Sequence, residues 1–180
     1  MRSMNLRFAL VASAALLAGC AASVQRPESE QAALQRPSAP LKRLAVAVVA
    51  DPAMPASSDW EAFRGEWRGA FTQAAADAGI GFAWVDAQPG PQPAGTTFAR
   101  VVIRDYRYIS TGARYGLGAF TGNAHVDART EFTELPSGRR LGARDYSTTS
   151  SAWQGIFSAM TAKQVQALAA RIIEDARGRP

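Results

Sequence analysis

Asn123 to Thr133 alternates without a break. Ala124, Val126, Ala128, Thr130 and Phe132 fall on one side of an extended chain, and Asn123, His125, Asp127, Arg129, Glu131 and Thr133 fall on the other. A period of two is incompatible with a helix, and so complete a polar side is incompatible with burial on both faces. The segment is therefore a strand of a sheet with one dry and one wet face, and the dry face needs a cover.

Two amphipathic segments supply that cover. Trp60, Phe63, Trp67, Ala70, Phe71, Ala74, Ala75 and Ala78 recur at helical spacing, which predicts a helix from Asp59 to Ala78 ended by Gly79. Ser58-Asp59-Trp60-Glu61 before it fits a capping box. Val165, Leu168, Ala169, Ile172 and Ala176 form a second stripe closed by Gly178, with Thr161-x-x-Gln164 as a second capping box.

Further strands follow from short apolar runs. Leu44 to Ala50 is continuous, as in a strand buried on both faces, and Phe82 to Val85 is a short one. Phe98 to Ile109 is longer, with Val101, Ile103 and Ile109 facing one way and Phe98, Val102, Tyr106 and Tyr108 the other. Leu135-Pro136-Ser137-Gly138 is a turn, and Arg140 to Thr148 returns as a hairpin partner. The expected fold is α+β: a two-layer sandwich of a mixed or antiparallel sheet of about five strands and two main helices, in the order β-α-β-β-β-β-α.

The start of the chain has a different character. Arg2 and Arg7 precede an apolar run from Phe8 to Leu17, which is the pattern of a secretory signal peptide and too short to span a bilayer as a helix. The run ends Leu17-Ala18-Gly19-Cys20, which resembles the lipobox of bacterial lipoproteins and contains the only cysteine of the 180 residues. That resemblance implies cleavage before Cys20, a diacylglyceryl group on its sulfur and an acyl chain such as palmitate on its amine. Three chains exceed what stable anchoring needs. Ala21 and Ala22 follow, without the aspartate that tends to retain such proteins in the inner membrane. The expected location is the outer membrane, lipid-anchored, on the periplasmic face.

The domain reading is then residues 1–19 as signal peptide, 20–41 as lipidated Cys20 with a disordered tether, and 42–180 as a periplasmic α+β domain. Pro27, Pro37 and Pro40 among Ser, Gln and Glu give the tether its character, with an expected reach of about 25 Å.

Composition removes several functions. A lone cysteine and a lone histidine cannot build a disulfide, a multi-cysteine metal site or an HExxH zinc helix. No metal and no cofactor beyond the covalent lipid is expected. Losing Arg2 and Arg7 leaves 18 basic against 15 acidic side chains, +3 in place of +5, which argues against a nucleic-acid partner outside the cytoplasm. Phe98 to Thr149 holds eight arginines against five acids, so the excess lies on the sheet. Such arginines ordinarily populate a solvated face, and the sharper alternative is an anion-binding or anionic-lipid-facing surface.

His125 and Asp127, two apart on one strand, point the same way and could orient an imidazole for general-base work. No nucleophile elbow accompanies them, so no catalytic residue is assigned. Gly112 to Gly122 carries Arg114, Tyr115, Leu117 and Phe120 between two strands. A phosphate-binding loop would lead into a helix, so these four residues are better read as an interaction loop.

The run Gly112-Ala113-Arg114-Tyr115-Gly116-Leu117-Gly118-Ala119-Phe120, followed by Val126 to Leu135 and Ser137-Gly138, resembles an uncharacterised bacterial lipoprotein family, a domain of unknown function. That family pairs a lipobox with a Gly-x-Arg and Gly-x-Gly stretch and an acidic hairpin. The resemblance covers about Lys42 to Arg177, and Glu134-Leu135-Pro136-Ser137-Gly138 departs from its plainer acidic turn. It implies no catalytic residue. The function expected is a binding or scaffold module for another envelope protein. The alternatives are a hydrolase using His125 and Asp127, or a subunit of an export or pore assembly.

Overall fold

The computed structural model describes residues 24–25, 33–86, 88–107, 124–149 and 160–178. Strands β1 (Val24–Gln25), β2 (Arg43–Ala50), β3 (Gly81–Trp84), β4 (Thr96–Arg107), β5 (His125–Leu135) and β6 (Arg139–Thr149) form one sheet in the order β1-β6-β5-β4-β2-β3. Helices α1 (Trp60–Asp77) and α2 (Met160–Ala176) cover one face of it. The sheet is mixed: β2 runs parallel to β3 and β4, and the β4, β5, β6 and β1 neighbours are antiparallel. Five main strands and two helices stand in the expected order, and β1 adds a two-residue edge.

The main core is built from the residues the periodicities select. Phe63, Trp67, Phe71 and Ala75 of α1 and Val165, Leu168, Ala169 and Ile172 of α2 pack on Leu44, Val46, Val48, Val101, Ile103, Val126, Ala128 and Phe132. The β2 run is buried on both sides, because Ala45 and Ala47 join Phe98 and Leu135 in a smaller cluster on the other face. Gly79, at φ +65°, ends α1 in a conformation that a side chain would strain.

The capping box expected at the start of α1 is absent. Asp59 occupies the N-cap of α1 and makes no side-chain bond to the helix. Its Oδ1 instead accepts from Ser57 Oγ at 2.6 Å and from the Tyr106 hydroxyl at 2.7 Å, joining the helix start to the end of β4. Gln164 is fully buried and its Nε2 donates to Ala124 O at 3.1 Å, so it joins α2 to the start of β5.

Two bulges change what the alternation predicts. Ile103 pairs with Ala128 and Asp105 with Asp127, so Arg104 is an extra residue in β4. Beyond it the phase reverses, and Tyr106 turns to the helix side, where it stacks on Phe63 at 4.2 Å between ring centres. Tyr106 therefore shares a face with Val101 and Ile103, contrary to the simple alternation. In β6 Leu141 is the extra residue and is carried into the core.

The last part of the expected tether is bonded to the domain. Gln35 N donates to Leu141 O at 2.8 Å, and a Cβ on Gly142 would lie 2.8 Å from Leu34 Cδ2, so this glycine leaves room for the chain to pass. Glu134 Oε1 accepts from both Ser38 N and Ser38 Oγ at 2.6 Å, and Arg139 Nε donates to Glu134 Oε2 at 3.0 Å. Arg139 also reaches Gln35 Oε1 and Arg36 O. Proline and polar composition gives no apolar periodicity here, and the chain is held by a carboxylate instead.

The two Ser38 hydrogen bonds, with Arg139 behind them, hold the Glu134 pKa down at about 2, below the usual 4.5. A depressed carboxylate pKa contributes stability that is complete above the unfolded value and is lost as the pH falls through the folded one. Ser38 is therefore expected to leave the hairpin as the pH falls from 4.5 towards 2. The amide proton of Ser38, followed by NMR, should shift over that window in the native chain and show no such titration in Glu134→Gln.

Candidate functional site

The helices leave the opposite side of β4, β5 and β6 uncovered. On β5 this side presents the predicted wet residues His125, Asp127, Arg129, Glu131 and Thr133, each partly exposed, while Val126, Ala128, Thr130 and Phe132 are buried behind them. The alternation alone positions these side chains, and β4 and β6 supply their partners.

The charges form two guanidinium–carboxylate clusters. Asp145 of β6 accepts from Arg104 Nη2 at 2.6 Å and from Arg129 Nη1 at 2.8 Å. Glu131 lies 3.6 Å from Arg100 Nη1 and 3.3 Å from Arg140 Nη2. In each cluster two guanidiniums share one carboxylate, which leaves a positive excess. These pairs are open to water, and exposed pairs of this kind contribute about 0–1 kcal/mol each, too little to explain the arrangement as a means of holding the fold. Arginine presents a planar fork suited to carboxylates and phosphates, and here each fork meets a carboxylate of a neighbouring strand.

Arg104 and Arg107, which alternation places on opposite faces, share this one. The Arg104 bulge restores the phase, and Arg107 pairs in register with His125. Arg139 is used in the Ser38–Glu134 clamp, and Arg144, near Tyr146 and Asp175, acts electrostatically on that buried pair. The arginines of β4 to β6 therefore divide among separate tasks.

His125 does not pair with Asp127. Its Nε2 lies 3.0 Å from Asp105 Oδ2, on the neighbouring strand, and the Asp105 side chain is 71% exposed. Among the described residues the imidazole bonds a carboxylate and neither a hydroxyl nor a thiol. Asp105 and Asp127 stand directly opposite in the ladder, and His125 is bonded to the first of them. Periodicity within one strand could not reveal Asp105, because the pairing depends on the register between two strands and on the bulge.

The helix side holds a second polar feature that the sequence pattern does not reveal. The Tyr146 hydroxyl donates to Asp175 Oδ2 at 2.6 Å, and both residues are buried. Burial raises the pKa of Asp175 above the usual carboxylate range, while the Tyr146 bond and Arg171 oppose the rise. Burial, with Asp175 beside it, pushes the Tyr146 phenol well above its ordinary range. The bond joins β6 to α2 within the core.

Cys20 and the loop residues Arg114, Tyr115, Leu117 and Phe120 lie outside the described residues. Among the described residues no group of three or more His, Cys, Asp and Glu side chains is arranged to hold a metal. No helix among them is long and apolar enough to cross a membrane.

No family description matches the chain, and no curated protein matches it. Solved structures do. The PelC dodecamer from Paraburkholderia phytofirmans is 13% identical, with 86% of this chain and 98% of that chain covered and a TM-score of 0.47. A protein from Xanthomonas campestris described under DUF330 is 11% identical, with 79% and 90% covered and a TM-score of 0.42. A homologue of the neuraminyllactose-binding hemagglutinin from Helicobacter pylori is 12% identical, with 83% and 89% covered and a TM-score of 0.34. The chain is similar, at low identity and over most of its length, to PelC and to the DUF330 protein.

Proposed function

We propose that this protein is a lipoprotein held through Cys20 at the periplasmic face of the outer membrane, where it acts as a binding or scaffold module for another envelope protein. The observation that carries the binding role is the uncovered face of β4, β5 and β6, with its two clusters of paired guanidiniums around Asp145 and Glu131. Hydrolysis by His125 and Asp127 has less support, because His125 is bonded to Asp105. The address rests on the Leu17-Ala18-Gly19-Cys20 sequence.

The test is a crosslinking pull-down from membranes with Cys20 intact. Arg100→Glu with Arg140→Glu is expected to weaken recovery of the partner by at least about tenfold, equivalent to ~1.4 kcal/mol, while His125→Ala leaves recovery unchanged. The opposite pattern, with recovery lost only in His125→Ala, overturns this reading of the open face. Cys20→Ser is expected to release the protein from membranes, and its retention there would remove the anchor.

A further inference from the structure

The two edges of the sheet differ. Beyond β6 the backbone is met by β1 at Ser147 and Thr148 and by Gln35 N at Leu141 O. Beyond β3 no strand follows among the described residues. Gly81 N donates to Lys42 O at 2.8 Å and Val85 N to Val46 O at 2.9 Å, so the odd-numbered residues here turn their backbone groups towards β2. By alternation Phe82 and Trp84 turn theirs outwards, two N–H donors and two carbonyl acceptors without a partner among the described residues. Edge strands are ordinarily blunted by a proline, a charge or a bulge. Ile80 to Val85 contains none of these, and Phe82, Ala83, Trp84 and Val85 are each partly exposed.

We propose that β3 is the edge through which two copies of this chain join, antiparallel, about a two-fold axis at Ala83. In that register Phe82 of each copy exchanges two backbone hydrogen bonds with the partner's Trp84, and every outward group of both strands is used. On the helix side the Phe82 and Trp84 rings become cross-strand neighbours. On the open side Ala83 meets itself in the closer, non-hydrogen-bonded kind of pair, where a methyl group fits.

The charges over this edge suit a second copy better than a strongly charged partner. Arg64 Nη2 bonds Asp86 at 2.9 Å and Arg64 Nη1 lies 3.5 Å from Glu61. The Arg64 and Arg68 guanidiniums lie 5.6 and 6.0 Å from the centre of the Trp84 ring. Two guanidiniums and two carboxylates leave the helix side of the edge without net charge, so its like can approach it. On the other side Arg43 lies across Gly81, where a Cβ would stand 3.4 Å from its Nε, and the antiparallel register brings the partner's Asp86 to that end of the strand.

The experiment uses the full chain with Cys20→Ser, so that the native thiol forms no bridge, in a mild detergent that accommodates the Phe8 to Leu17 run. Sedimentation equilibrium should show dimers. Ala83→Lys and Ala83→Glu each set like charges on the axis and should weaken association at least about tenfold with circular dichroism unchanged, and the two variants mixed in equal amounts should pair again. In the same chain Ala83→Cys should oxidise to a covalent dimer. Val85→Cys should not, because the two copies of that position stand four residues, about 14 Å, apart along the pair. The cysteine variants read the register even where a charge at residue 83 disturbs the fold. A monomer at every concentration up to about 1 mM overturns the proposal. Association indifferent to either charge at residue 83 overturns it too, as does equal oxidation of the two cysteine variants.

Discussion

Trp67→Ala is expected to cost about 3–5 kcal/mol, a large part of the ~5–15 kcal/mol that holds an ordinary domain together, and to lower Tm by about 10–20 °C. Trp67 is the largest of the fully buried side chains among the described residues. Its ring meets Phe63 edge-on at 6.3 Å and stacks on Phe71 at 5.7 Å. Phe63 continues to Tyr106 at 4.2 Å and Phe71 to Phe82 at 6.2 Å, so one row of rings ties α1 to β4 on one side and to β3 on the other. Removing the central ring empties a space bounded by both strands, and a helix held from both sides can relax into it only partly. Trp67→Phe separates volume from polarity. The indole Nε1 is buried without an acceptor among the described residues. Phenylalanine removes that unpaired donor while keeping most of the ring, and a loss of only about 1–2 kcal/mol is expected. Thermal or urea unfolding of the three proteins checks the order native, Phe, Ala.

The second large effect is at Tyr146 and Asp175. Tyr146→Phe removes the donor at 2.6 Å from Asp175 Oδ2 and leaves a carboxylate in a site where burial already raises its pKa. A hydrogen bond to a charged group in such a place contributes about 1.5–3 kcal/mol, and that loss is expected at neutral pH. The pH dependence has a definite sign. A carboxyl whose folded pKa is raised is fully stabilising below its unfolded pKa, and that contribution is lost as the pH rises through the folded value. Tyr146→Phe takes away an interaction that lowers the Asp175 pKa, so the folded value moves higher and the loss of stability on raising the pH becomes larger. Asp175→Asn keeps an acceptor for the tyrosine and removes the titration. It should cost less than Tyr146→Phe and abolish this component of the pH dependence. Urea titrations of both variants at several pH values between acid and neutral provide the check, and equal slopes in all three proteins would count against the assignment.

The same distinction between pattern and pairing explains how much was legible in the amino acids. Helix α1 runs Trp60–Asp77 where spacing places it at Asp59 to Ala78, and the stripe Phe63, Trp67, Ala70, Phe71 and Ala75 is buried. The wet side of β5 is also where alternation puts it. Tyr106 and Arg104 were not legible, because one extra residue in β4 reverses the phase of everything after it and no local preference marks the place. Asp105 as the partner of His125, Ser38 as the partner of Glu134 and Asp175 as the partner of Tyr146 are separated in the chain by 20, 96 and 29 residues.

The amino-acid sequence by itself determined the five main strands and two helices, their order, and which side of α1, α2 and β5 is apolar. These follow from short-range repetition, in which each residue's neighbours three, four or two positions away decide its burial. Only the tertiary structure decided which carboxylate meets which donor, that Gln35 and Ser38 are bonded to the β5–β6 hairpin, and that arginines from three strands gather on one open face. Those outcomes depend on strand register and on two bulges, and both are settled when the helices close over one side of the sheet and bring distant parts of the chain into contact.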